Sequence, residues 1–242
     1  MKLHTMPQGS PEWHAIRAGV ITASNFALAR ERTAKGAMTA AAKSYAFRVA
    51  LERIAGAPLE EPQFVPWQAR RGQILEPVAA RLYELQTGAS ITPVGFVTSD
   101  CGRFGASPDG LVADDAGVEF KAFLNADKIR EIILTGDIGS CIDQVQGGMW
   151  LTGRSHWTFG LMCPALAPIG RALTLHEIKR DDAQIKQMAV EIEQFDAHVQ
   201  TIVASLRELS GPDQRELIAS LMPDMPERSV GAGINPDSIV LF

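Results

Sequence analysis

The sequence predicts an α/β fold: a mixed central sheet flanked by helices. Three observations carry this expectation. The runs Ser90–Thr98, Ser155–Met162 and Leu173–Lys179 are rich in β-branched and aromatic residues or alternate apolar with polar ones, the two-residue period of a strand. The segments Thr39–Ala55, Trp67–Gln86 and Asp181–Leu209 repeat apolar residues every three to four positions, as a helix face requires. The 242 residues are 46% hydrophobic and 21% charged, which suits one globular domain with a sizeable core.

The elements follow in order. Gln8–His14 starts a helix, with Ser10 as N-cap, Pro11 in the first helical position and Glu12 in the first turn. Trp13 and Ile16 share a face, Arg17 stands near the end, and Gly19 closes the helix. Val20–Phe26 leads into a second helix capped by Thr22 or Ser24. Its unpaired backbone N–H groups, with Arg17 close by, suit an anion such as a terminal phosphate, although plain caps and a solvated arginine account for the same residues. Arg30–Lys43 is polar and carries Gly36, so it reads as a mobile loop bearing Arg30, Arg32, Lys35 and Lys43, solvated or beside an anionic ligand. In Thr39–Ala55 the core candidates are Tyr45, Val49 and Ile54. Gly56-Ala57-Pro58 ends that helix, and Pro62 and Pro66 keep the next segment extended. In Trp67–Gln86 the expected buried stripe is Ile74, Val78, Leu82 and Leu85. Pro77 has no amide hydrogen, so the helix is kinked there or begins afresh near Glu76, an acid that the helix dipole favours.

The chemistry concentrates in Gly105–Lys121, GASPDGLVADDAGVEFK. A short strand, a Ser107-Pro108-Asp109-Gly110 turn, a strand at Leu111-Val112-Ala113, a polar turn and a strand Val118–Lys121 are expected in succession. Side chains alternate between the faces of a strand, so Val118 and Phe120 enter the core. Glu119 and Lys121 then emerge together on the opposite face, beside Asp109 if the strands pair. Two carboxylates supply hard oxygen ligands for Mg2+, and the lysine orients or deprotonates a water for attack on phosphorus. Ala126–Leu134 reads as a helix, and Ser140 caps the helix Cys141–Thr152. There Val145, Met149 and Trp150 point to the core while Gln144 and Gln146 look elsewhere. Asp181–Leu209 buries Ile185, Met188, Ile192 and Phe195. Composition shifts at Ser210, giving expected units 1–209 and 210–242. The second holds a short helix to Met222, then Pro223, Pro226, Gly231, Gly233 and an apolar end, Ser238–Phe242, that packs on its own domain or on a neighbouring subunit.

Other classes fit poorly. Three widely spaced cysteines, with no Cys-x-x-Cys pair, are too few for an iron–sulfur cluster and read as reduced core thiols. The five histidines form no pair spaced for zinc. No apolar run is long enough to span a bilayer and the start lacks a signal-peptide core, so a cytoplasmic protein is expected. The net charge of −5 runs against non-specific DNA affinity, yet acidic metal ligands are part of any such site and a bound cation inverts the local sign.

In this order the Ser-Pro-Asp-Gly turn, the hairpin and Glu119-x-Lys121 resemble the PD-(D/E)XK nuclease core. Three further segments narrow the resemblance to the lambda exonuclease family, the viral recombinase or alkaline exonuclease type: WHAIRAGVITASNF at 13–26, Gly72-x-x-x-Glu76, and Gln144-Val-Gln146-x-x-Met-Trp. It covers Gln8 to Phe195. The resemblance implies that Asp109, Glu119, the Phe120 carbonyl and Glu76 hold Mg2+, with two ions per site and Mn2+ as a substitute. It gives Lys121 the water, places a glutamine, Gln146 if only one acts, by the attacked phosphate, and assigns Arg17, Ser24 and Ser107 to a 5'-phosphate. It further implies 5'-3' digestion of double-stranded DNA ends, a ring-shaped homotrimer and a single-strand annealing protein as partner. Where that family has an apolar wedge, this chain has Gln68-Ala69-Arg70. An endonuclease on the same core and a non-catalytic DNA-binding scaffold are the alternatives.

Overall fold

Strand β1 (Lys2–His4) and helix α1 (Pro11–Arg17) open the chain, followed by β2 (Ile21–Thr22), α2 (Phe26–Arg30), α3 (Ala40–Ala55) and α4 (Trp67–Thr87). Four short strands come next, β3 (Ile91–Thr92), β4 (Phe96–Thr98), β5 (Phe104–Ala106) and β6 (Gly110–Val112), then β7 (Ala116–Lys121) and α5 (Ala126–Thr135). The rest comprises α6 (Ile142–Thr152), β8 (His156–Met162), β9 (Leu173–Lys179), α7 (Asp182–Glu208) and α8 (Arg215–Leu221). This computed structural model describes residues 1–59 and 67–221. The chain divides into two units, Met1–Ser205 and Leu206–Phe242. In the second, Asp213 accepts from the Arg215 amide at 3.0 Å at the start of α8, whose Leu217, Ile218 and Leu221 are exposed. The expectations for Pro62, Pro66 and everything from Met222 onward lie outside the described residues.

The expected α/β architecture is present with two sheets in place of one. A four-stranded sheet has the order β1-β4-β5-β2, and a five-stranded sheet the order β3-β6-β7-β8-β9. Two prolines stand at the division: Pro93 and Pro108 have no amide hydrogen to donate to a ladder, Pro93 falling inside the run expected as one strand and Pro108 in the turn expected between two. Ser90–Thr98 therefore splits into β3 and β4, which belong to different sheets. The second interruption lies between β5 and β6, so Asp109 stands in the turn immediately before β6 of the five-stranded sheet.

That sheet is mixed, with β7 and β8 parallel and the remaining pairs antiparallel. One face carries Val118, Phe120, Met162 and Leu173 against Ala79 and Tyr83 of α4. The other carries Trp157, Phe159 and Leu161, which join the larger core with Val145 and Met149 of α6 and Ile185, Met188, Ile192 and Phe195 of α7. Helix α6 lies close to this face. A Cβ on Gly148 would stand 2.9 Å from the Trp157 ring, and one on Gly117 2.5 Å from it, so the indole fills room left by two missing methyl groups.

Ser10 caps α1 through its hydroxyl and Thr39 caps α3, each accepting an amide at 3.2 Å. Several local expectations are corrected. Ala23–Asn25 is a 3-10 turn and α2 spans five residues, so neither Thr22 nor Ser24 caps a long helix. Gly139–Cys141 is likewise a 3-10 turn, and no side chain caps α6. Arg30 belongs to no mobile basic loop: it is held between Asp143 at 2.6 Å and Glu191 at 2.5 Å. Helix α4 runs through Pro77 without a restart, and its buried stripe is Leu75, Ala79, Leu82 and Tyr83. Ile54, Ile74, Val78 and Leu85 are exposed because the helices turn other positions to the sheet. Cys101 is exposed, whereas Cys141 is buried.

Candidate active site

Two neighbouring strands and one helix deliver the acids. The antiparallel register that sets Gly110 opposite Val118 leaves Asp109 level with the next part of β7. Its Oδ2 accepts from the Phe120 amide at 2.5 Å. On β7, Glu119 and Lys121 share a face as alternation requires, and Lys121 Nζ lies 2.6 Å from Glu119 Oε1. Glu76 comes to the same place from α4, near enough for Glu119, Lys121 and Asp109 to act on its carboxyl. The end of β7 is tied to that helix by Arg71 Nη1, which donates to the Ala122 carbonyl at 3.0 Å.

Burial is the main cause that pushes the Asp109 carboxyl well above its ordinary range, with the charges of Glu119 and Glu76 adding to it. Glu76 is raised by burial and then by Glu119. Burial works against the Lys121 ammonium, but Glu119 and Asp109 reverse that and hold it above its usual value. The lysine is therefore a proton donor here and supplies fixed positive charge.

Buried acids this close resist ionising together unless a cation sits among them. Asp109, Glu119 and Glu76 offer hard oxygens crowded by like charge, the donor set that Mg2+ or Mn2+ accepts. The residues thus fit such an ion. Among the described residues no three His, Cys, Asp or Glu side chains stand ready spaced as a metal cage. Glu119 is engaged by Lys121 and Gln144, and Asp109 by the Phe120 amide.

A cleft of about 200 Å3 joins this cluster to the anion residues: Arg17, Ser24, Ser107, Asp109, Glu119, Lys121 and Gln144 all line it. Arg17 Nη1 donates to Ser107 Oγ at 2.7 Å, and Ser24 Oγ lies 3.1 Å from Thr22 Oγ1. Of the residues singled out from the sequence, the structure brings together Arg17, Ser24, Ser107, Asp109, Glu119, Lys121 and, through Asp109, Glu76. The choice of glutamine is corrected. Gln144 Nε2 donates to Glu119 Oε1 at 2.5 Å. Gln146 is 2% exposed, donates to the Lys179 carbonyl at 2.9 Å and accepts from the Asp181 amide at 3.0 Å. Positions two apart on a helix point about 200° from each other, so Gln144 reaches Glu119 on β7 while Gln146 reaches the end of β9. Gly148, one turn after Gln144, marked the side of close approach. Gln8 and Trp13 also line the cleft and were not singled out; Gln8 Nε2 donates to the Pro108 carbonyl at 2.7 Å.

The order in which the chain presents these groups, an acid at the turn and then an acid and a lysine two residues apart on the partner strand, places it among the PD-(D/E)XK nucleases. The particular family follows from comparison: the YqaJ-like viral recombinase profile matches residues 12–155, and the chain belongs to that family. A crystal structure of an alkaline exonuclease from Laribacter hongkongensis is similar, at 30% identity and a TM-score of 0.71, over 82% of this chain and 97% of that one. The same enzyme in complex with dAMP gives 28% identity and a TM-score of 0.72 over 87% and 100% of the two chains. A phage-related exonuclease from Haemophilus somnus 129PT shares the fold at 17% identity and a TM-score of 0.57, over 79% and 96%. Curated proteins give no match.

Proposed function

We propose that this nuclease is a Mg2+-dependent exonuclease that digests one strand of linear double-stranded DNA 5'-3' from a 5'-phosphorylated end, leaving 3' overhangs for phage-type recombination. One observation carries the reading: Ser107 and Asp109 flank Pro108 in a single turn, and both line the cleft that holds Arg17 and Lys121. An end phosphate held at Arg17, Ser107 and Ser24 sets the adjoining phosphodiester beside the acids. The complex of the Laribacter enzyme with dAMP, a mononucleotide, accords with release of single nucleotides.

Asp109, Glu119, Glu76 and the Phe120 carbonyl are the groups that would hold the metal, as one ion or two. Bound there, Mg2+ would supply Lewis-acid charge to the phosphoryl oxygens and a water more acidic than bulk water. The chain's own residues do the remaining work. Lys121 brings an ammonium to the charge that develops on the phosphoryl oxygens. Gln144 fixes the Glu119 carboxylate in rotation, and Arg17 with the two serines sets the register of the DNA end. Local positive charge at Arg17 and Lys121 accommodates phosphate despite the net charge of −5.

The resemblance to the lambda exonuclease family extends the proposal to a homotrimer encircling the duplex, to a single-strand annealing protein as partner and to the cytoplasm as its location. Among the described residues no helix is long and apolar enough to cross a membrane. The test is digestion of linear duplex with and without a 5'-phosphate, beside a covalently closed plasmid, with a Lys121→Ala control. Phosphorylated linear duplex is expected to disappear while plasmid and control persist. Nicking of the plasmid would favour an endonuclease, and inertness of every substrate with Mg2+ or Mn2+ a binding scaffold.

A further inference from the structure

Ser107 sits in a hydrogen-bond arrangement that a simple phosphate contact does not require. Its Oγ accepts from Arg17 Nη1 at 2.7 Å and from Trp13 Nε1 at 3.1 Å. A hydroxyl has two acceptor positions and one proton, whereas guanidinium and indole N–H groups only donate. The indole's single proton is shared between Ser107 and the Gly95 carbonyl, yet each acceptor position of the hydroxyl faces a donor, which directs the Ser107 proton elsewhere. Trp13 is itself well anchored. Its Nε1 lies 3.0 Å from the Gly95 carbonyl, and its ring supports the Arg17 guanidinium, with Cζ 3.9 Å from the ring centroid. Indole, guanidinium and hydroxyl all line the cleft.

We propose that Trp13 is a positioning and specificity-determining residue: by holding Ser107 as an obligate donor it tunes the cleft for a terminal phosphate monoester over a hydroxyl end. This rests on the reading of the cleft as a 5'-phosphate site. Phosphate oxygens only accept, so an oriented O–H adds a charge-assisted hydrogen bond. A terminal hydroxyl can donate as well as accept, and gains little from a donor whose direction is fixed. Without the indole N–H, the Ser107 proton is free to turn away, and the preference for phosphate falls by about tenfold.

Steady-state kinetics on 5'-phosphorylated and 5'-hydroxyl linear duplexes test this with wild type, Trp13→Phe, Ser107→Ala and the double variant. Phenylalanine keeps a ring under Arg17 and removes the donor. The expected result is a KM about tenfold higher for the phosphorylated end, a shift concentrated in KM rather than kcat, little change for the hydroxyl end, and no further loss in the double variant. A Trp13→Phe effect that multiplies in full with Ser107→Ala, falls equally on both ends, or is absent overturns the inference. Wild type indifferent to the terminal phosphate sinks the reading of the cleft itself, a result visible before any Trp13 variant is made. Should Trp13→Phe fail to fold, 15N-labelled tryptophan in the chelated wild type answers the same question. The indole N–H signal displaced by Ser107→Ala must also move on addition of a 5'-phosphorylated oligonucleotide, and a stationary signal overturns the proposal.

Discussion

Exchanging Gln144 and Gln146 for alanine, one at a time, separates chemistry from scaffold within a single helix. Gln146 satisfies the Lys179 carbonyl and the Asp181 amide at 2.9 and 3.0 Å while almost fully buried. Its removal leaves both backbone groups without their partner. Each orphaned group costs about 1–3 kcal/mol when water cannot reach it, and partial relaxation brings the sum to about 2–4 kcal/mol. For a chain of this size that lowers the melting point by roughly 4–16 °C. Gln144→Ala removes one donor from Glu119, which keeps Lys121 at 2.6 Å, so stability changes by less than about 1 kcal/mol. The Glu119 carboxylate is then free to rotate, and kcat falls by roughly 10- to 100-fold. Calorimetric melting and single-turnover digestion of a 5'-phosphorylated duplex, below the melting point of either variant, measure both effects. A stable but inactive Gln146→Ala beside a fully active Gln144→Ala would refute the assignment.

Chelation with EDTA is expected to stop digestion, and Mg2+ at about a hundred times its dissociation constant to stabilise the wild type by about 2.7 kcal/mol. Asp109→Asn should lose that gain in a thermal-shift assay; an equal gain in the variant places the ion elsewhere. Arg30→Met leaves Asp143 and Glu191 facing each other without their shared cation, so the urea midpoint should fall by the equivalent of about 3 kcal/mol. Burial lowers the pKa of His176, whose Nε2 has no hydrogen-bond partner among the described residues. The neutral ring is the favoured form, so its contribution to stability is complete above the unfolded value of about 6.5 and is lost as pH falls through and below it. His176→Phe should flatten the acid side of the stability profile between about pH 7 and 5, and an unchanged slope would exonerate this residue.

The strand-borne part of the site was legible because alternation is a local rule. Glu119 and Lys121 must share a face whatever surrounds them, and a two-turn hairpin brings Asp109 beside them. Helix faces were less legible. In α4 two apolar stripes compete, and only contact with Val118 and Phe120 decides that Leu75, Ala79 and Tyr83 go inward. Gln144 and Gln146 posed the same problem, since the long-range partners Glu119 and Lys179 choose between them. Arg30 misled for a related reason: its acids lie on α6 and α7, more than a hundred residues away. The single sheet became two because the apolar pattern continues across Pro93 while the hydrogen-bond ladder does not, which leaves β3 and β4 in different sheets.

The seat of Trp157 between Gly117 and Gly148 bears on turnover as well as on packing. A methyl group at position 148 would press on the indole from 2.9 Å, and the stiff ring offers no flexible end to yield. Relief comes from lifting α6 away from the sheet by a few tenths of an ångström, and Gln144 rides one helical turn from the point of pressure. The reach of an amide to a carboxylate is thus governed by hydrogens that stand where other residues carry carbon. One added carbon on the wall of the cleft would slow an enzyme of this lineage through the glutamine a turn away.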